Sequence, residues 1–143
     1  MKWYTRRHIE SLLRSYKEMY REYEELRNDI LCESPLPPDG MPRGGETSNP
    51  THRKVVRMMS NQRLRNMEVT IRAISNVVAC LPPEKVRLIE LKYWARPQVL
   101  TDEGVALELN CGVATVYRWT NKVITDVAYE LGYVECKNKM IEK

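Results

Sequence analysis

The sequence predicts an all-α protein with a long N-terminal helix, a proline-rich linker, a basic amphipathic helix and a C-terminal helix-turn-helix unit of three helices. Three observations predict this class. Apolar residues recur alternately three and four positions apart in the first 32 residues. Residues 51–81 carry an apolar stripe opposite a basic one. Helix start and stop signals divide residues 82–133 into three short helical segments.

The composition suits one folded domain, or one small domain with a helical arm, because 43% of the 143 residues are apolar and 29% are charged. The net charge of +4 is concentrated centrally: residues 51–81 hold six Lys or Arg and one acid. No two of the four cysteines form a C-x-x-C pair, so neither a zinc site nor another cofactor is expected. No apolar run approaches the roughly 20 residues that span a bilayer. We therefore expect free thiols in the reducing cytoplasm of a cell.

The first helix is predicted over residues 5–32, within an N-terminal unit of residues 1–33. Its apolar residues form a narrow seam with the a/d spacing of a coiled coil. The seam consists of Ile9, Leu12, Tyr16, Met19, Tyr23, Leu26 and Ile30. Two interpretations remain open: the seam packs on the chain's own second helix, or it forms a homodimer.

Residues 34–50 are predicted to be a linker, because prolines and glycines there prevent a helix from continuing. Helix resumes over residues 51–81, with a break expected near Ser60–Gln62, because Arg63 would otherwise fall among apolar residues. The opposite, basic face suits contact with DNA phosphates, because almost no acid balances it. That face is formed by Arg53, Lys54, Arg57, Arg65 and Arg72.

The three-helix unit is predicted over residues 82–133, with a charged tail at 134–143. Pro82 and Pro83 end the preceding helix and start the next, which ends before Pro97. Thr101 is expected to cap the second helix. The third helix is expected from about Gly112 to Leu131, where Gly132 ends it.

The stretch "ELNCGVATVYRW", residues 108–119, has the requirements of a helix-turn-helix elbow. Ala106 is the small residue at the helix crossing, and Asn110 tolerates the left-handed backbone that the turn needs. Val105, Leu109, Val116 and Trp119 are placed for the shared core. The face left outward on the third helix, 113–131, predicts base and phosphate contacts in the major groove. It comprises Val113, Ala114, Tyr117, Arg118 and Asn121, flanked by Thr115 and Lys122.

The sequence also resembles the RinA-type phage transcriptional regulators, which are related to the ArpU-like late regulators. The resemblance is carried by "SPLPPDGMPRGGETSNPT", "LPPEKVRLIELKYW", "LTDEGVALELNCGVATVYRWTNKV" and "AYELGY". It implies a C-terminal part like region four of sigma factors, and activation of phage late packaging and structural genes. The implied partners are double-stranded DNA at the late promoter region and host RNA polymerase, in the nucleoid of the bacterial host. The chain departs from the family at Gly112 and Val113, where a serine and a basic residue are usual.

Three other functions are alternatives to a DNA-binding activator. A small terminase subunit also uses a helix-turn-helix, but it would assemble into a ring. A module that docks on RNA polymerase or a sigma factor would bind no DNA by itself. An enzyme is not expected, because Cys111 has no histidine near it in sequence and no phosphate-cradling glycine loop is present.

Overall fold

The computed structural model describes residues 1–32, 50–97 and 99–135. Over these residues the chain is helical and has no strand, which confirms the all-α class. The helices are α1 (Trp3–Cys32), α2 (Pro50–Ser60), α3 (Gln62–Ala79), α4 (Pro83–Ile89), α5 (Asp102–Glu108) and α6 (Val113–Glu130). A π-helical turn, Glu90–Trp94, continues α4. Apart from Pro50, the predicted linker 34–50 lies outside the described residues, as does the tail after residue 135.

The break expected near Ser60–Gln62 is confirmed, because Asn61 separates α2 from α3. The Asn61 backbone is extended, and its side-chain oxygen accepts a hydrogen bond from the backbone N–H of Leu64 at 3.1 Å. This is the usual cap at a helix start. Since the break resets the helical phase, Arg63 lies on the surface, where it forms an ion pair with Glu22 of α1.

One core joins α1 to the C-terminal helices. Ile9 and Leu13 of α1 are fully buried in the same cluster as Leu88 and Ile89 of α4 and Ile124 of α6. Farther along, α1 packs on α3, where the Tyr16 hydroxyl shares a hydrogen bond of 2.8 Å with Ser75. α1 therefore shares the core of the C-terminal unit and also covers α3.

The π-helical turn docks its two aromatic residues on α1. The Trp94 indole N–H donates to the Leu13 carbonyl at 2.9 Å, and its ring stacks on Tyr16 with centroids 5.1 Å apart. Tyr93 is buried, and its hydroxyl donates to a Glu10 carboxylate oxygen at 3.5 Å. Burial, followed by the charge of Glu10, raises the pKa of the Tyr93 phenol above its ordinary value. The phenol therefore stays neutral and keeps the proton that it donates.

The apolar side predicted for residues 51–81 is buried in α3 but not in most of α2. Leu64, Met67, Ile71, Ile74 and Val77 are buried. In α2, by contrast, Val55 and Val56, which lie on the apolar side of the helical wheel, are 41% and 46% exposed. The break at Asn61 explains the difference, because α2 no longer continues the buried face of α3. Among the described residues, no helix combines the length and the apolar character needed to cross a membrane.

We expect Leu13→Ala to lower the free energy of unfolding by about 2–5 kcal/mol, because it opens a cavity where α1 meets α4 and α6. The matched control is Leu31→Ala on the same helix, where the leucine is 39% exposed. That change should stay within about 0.5 kcal/mol. Urea unfolding followed by circular dichroism measures both, and equal small effects would show that α1 is a detachable arm.

Candidate nucleic-acid interface

The elbow between α5 and α6 has the geometry that its sequence predicts. The Thr101 hydroxyl accepts from the Gly104 N–H at 3.2 Å and so caps α5. Asn110 has a φ of 52°, the left-handed conformation required for the turn. The Cys111 N–H then donates to the Ala106 carbonyl at 3.0 Å, which satisfies an acceptor at the end of α5. The chain thereby turns sharply and starts α6 at Val113.

The elbow rests on a core shared by the three C-terminal helices. Val105 and Val116 are fully buried and Ala106 is 5% exposed, as expected for residues at the helix crossing. Leu109 and Trp119 are partly buried and pack against the same cluster. The predicted core positions are therefore confirmed, with Leu109 and Trp119 at the edge of the core.

A largely buried polar cluster, which the sequence did not predict, also links the three helices. The Lys92 ammonium lies 2.7 Å from a carboxylate oxygen of Asp102, with the two side chains 14% and 20% exposed. The same ammonium lies 3.4 Å from the hydroxyl of Thr120, which is only 1% exposed on α6. One signal in the sequence was Thr120 itself, a polar residue on the apolar stripe of α6.

The outward face of α6 largely matches the prediction, with one correction. Ala114, Tyr117, Arg118, Asn121 and Lys122 are exposed, and Thr115 is partly buried. Val113 was expected to face outward but is partly buried against the core. Its spacing from Val116 and Thr120 explains this, because steps of three and four residues place it on the buried stripe.

The polar side chains of this face have different hydrogen-bond and ion-pair partners. The Arg118 guanidinium donates to the Thr115 hydroxyl at 3.4 Å, a weak contact with a neutral group. Lys122 pairs with Asp126 at 2.8 Å. The side-chain oxygen of Asn121 accepts a hydrogen bond from the Arg6 guanidinium of α1. α1 therefore reaches the predicted DNA-reading face, a contact between residues 115 positions apart.

The basic face predicted for residues 51–81 is divided between α2 and α3. Arg53, Arg57, Arg65 and Arg72 are exposed. Arg72 forms an ion pair with Glu68 at 2.7 Å. The Lys54 ammonium donates to the Leu31 carbonyl at 2.6 Å, where a cation complements the C-terminal end of α1. Lys54 and Arg72 therefore both have partners within the protein.

The seam of α1 contacts the chain's own helices. Ile9 and Ile30 are buried, Leu12 and Tyr16 pack against the core, and the remaining seam residues, Met19, Tyr23 and Leu26, are partly buried. This packing matches the first of the two interpretations in part, because α1 packs on α3, whereas Ile9 lies in the core of the C-terminal helices. A homodimer through the same side chains stays a prediction, and it would require α1 to leave the core.

The chain matches no protein-family model, no curated protein and no solved structure. The resemblance to the RinA-type regulators therefore stays a prediction. Among the described residues, no group of His, Cys, Asp and Glu is arranged to hold a metal ion. The geometry and charge of the α6 face are accordingly the basis for the function proposed below.

The left-handed turn at Asn110 predicts how substitutions there change stability. We expect Asn110→Val to lower the free energy of unfolding by about 1–2 kcal/mol, because a β-branched side chain is strained at positive φ. Asn110→Gly should change it by less than about 0.5 kcal/mol, since glycine adopts this conformation freely. Denaturant titration of the two variants provides the comparison, and equal stabilities would contradict the turn geometry.

The Lys92–Asp102 pair predicts a measurable coupling free energy between the two side chains. A double-mutant cycle with Lys92→Met and Asp102→Asn should return a coupling of about 1–2 kcal/mol, because both groups are largely shielded from water. The control cycle uses Lys122 and Asp126, which are nearly as close but 59% and 31% exposed. An exposed pair of this kind contributes about 0.3–0.5 kcal/mol. Equal couplings would show that burial does not strengthen the first pair.

Proposed function

We propose that the chain is a sequence-specific DNA-binding activator of phage late genes. The observation that carries the proposal is the exposed face of α6 with Tyr117, Arg118 and Asn121, on a helix that follows a turn with the left-handed geometry of a helix-turn-helix. An α-helix presented in this way fits the major groove, where base edges are distinguishable. Activation of late genes, and contact with host RNA polymerase on the bacterial nucleoid, rest on the resemblance to the RinA-type regulators.

The side chains of the α6 face suit different parts of a duplex. Arg118, which contacts only a neutral hydroxyl in the described structure, keeps its charge for a guanine edge or a phosphate. Tyr117 is 49% exposed and can offer its hydroxyl to a phosphate. Ala114 suits the methyl group of thymine. Lys122 is exposed and can contact a phosphate, although Asp126 largely offsets its charge.

Asn121 presents its amide in a defined orientation. Because a guanidinium can only donate, the group that faces Arg6 must be the amide oxygen, and the amide NH₂ is directed away from it. Adenine is read by an amide that accepts and donates together, whereas guanine presents two acceptors. The contact with Arg6 therefore favours acceptors such as guanine N7 and O6, or a phosphate, over adenine.

Footprinting of the purified chain on the late promoter region of its phage tests the proposal. A protected patch that persists against excess unrelated duplex is the expected result. Protection only in the presence of RNA polymerase would instead indicate a docking module. A complex of about eight or more copies in solution would favour the terminase class.

We expect Arg118→Ala to weaken binding to the protected sequence by about 1–3 kcal/mol and to relax the preference at one base-pair position. The matched control is Arg63→Ala. It removes the same charge from α3, where Arg63 pairs with Glu22 and is not part of the α6 face. It should leave the base preference unchanged. Binding measured across all single-base variants of the site separates the two. Unchanged affinity and preference in Arg118→Ala would contradict the assignment of α6.

A further inference from the structure

A basic cleft lies between α1 and the π-helical turn, apart from the side chains assigned to DNA above. Its volume is about 230 Å³. Four cations surround it: Arg14, Lys17, Arg21 and Arg96. The carboxylate of Glu18 and the aromatic rings of Tyr93 and Trp94 complete the lining. Four positive groups against one negative group give the cleft a net charge of +3.

Neutral partners position two of these cations. The Lys17 ammonium lies 4.9 Å from the centre of the Trp94 ring, and the Arg14 guanidinium lies 5.8 Å from that of Tyr93. Both distances are within the range of a cation–π interaction, which orients a cation without neutralising it. Arg96 pairs with Glu18 at 2.7 Å. Among the described residues, no carboxylate is within ion-pair distance of Arg14, Lys17 or Arg21.

The cleft lies on a stripe that leads to the predicted reading face. Arg6, Glu10, Arg14, Lys17 and Arg21 are spaced four, four, three and four residues apart, so they share one side of α1. Arg6, at one end, contacts Asn121 of α6. Fifteen residues of helix extend about 22 Å. A stripe of this length can reach several successive phosphates of one DNA strand.

We propose that this cleft is a phosphate-binding site that holds the backbone of the duplex read by α6. Lysine and arginine are the side chains that bind phosphate, and a cleft with excess positive charge concentrates anions. A volume below the roughly 300 Å³ of pockets for drug-sized ligands favours a phosphate group over a whole nucleotide. That the phosphate belongs to the backbone of a DNA duplex rests on the proposed function. Phosphate binding by the cleft does not depend on it.

The first arm of the test compares two double variants on duplex DNA. Lys17→Gln/Arg21→Gln removes two cleft cations, and Arg63→Gln/Lys85→Gln removes the same charge outside the cleft. Circular dichroism checks that both variants fold. In the cleft variant, the slope of log K against log salt concentration should become less steep by roughly two. Binding should weaken by roughly 10- to 30-fold near 0.15 M salt, equally on target and unrelated sequences. A slope equal to that of the control would overturn the backbone contact.

The second arm uses inorganic pyrophosphate and no DNA. Because Lys17 lies over the Trp94 ring, phosphate in the cleft should change tryptophan emission in the wild type and in the control, and not in the cleft variant. A response without any duplex binding by the wild type would reject the proposed function and keep the cleft as a site for free phosphate. Duplex binding with neither a changed slope nor a pyrophosphate response would reject the cleft and keep the function.

Discussion

The burial of Ile9 and Leu13 is the constraint on which the rest of the structure depends. Both side chains are fully buried between α1 and the C-terminal helices, and each contributes about 1.5–3 kcal/mol by leaving water. Since the remainder of α1 packs on α3, these two residues fix α3 relative to the helix-turn-helix. They also set where the polar side chains of α1 lie. Arg6 reaches α6 and Lys17 reaches the π-helical turn because the residues between them are anchored in the core.

The apolar stripe of α6 sets which side of the helix faces the core. The cluster of Lys92, Asp102 and Thr120 favours the same rotation. If the Thr120 hydroxyl turned away, a member of the cluster would lose its partner while remaining shielded from water. With Thr120 turned inward, Arg118 and Asn121 must face outward. The polar cluster and the exposed face of α6 are thus two consequences of one rotation.

Sequence predicted the parts of this structure that depend on neighbouring residues. The cap at Thr101, the left-handed turn at Asn110 and the break at Asn61 each follow from a local rule, and all three are present. Contacts between distant residues could not be predicted in this way. The Arg6–Asn121 contact joins opposite ends of the chain, and the side of α1 that meets the core cannot be read from its seam alone. Val113, by contrast, was misassigned although its spacing from Val116 and Thr120 was visible in the sequence.

The basic side chains of the protein fall into two groups, those that pair with carboxylates and those that contact neutral groups. Only the second group adds strongly to the positive electrostatic potential at the surface. Cations that face carboxylates, such as Lys92 and Arg72, serve the fold, because the paired charges largely cancel outside the protein. Arg118, Arg14 and Lys17 instead contact a hydroxyl or an aromatic ring, which positions a cation and leaves its charge intact. Part of the uncancelled charge is therefore found on the exposed face of α6 and in the α1 cleft. Net charge alone, at +4, would not distinguish these two places from the rest of the surface.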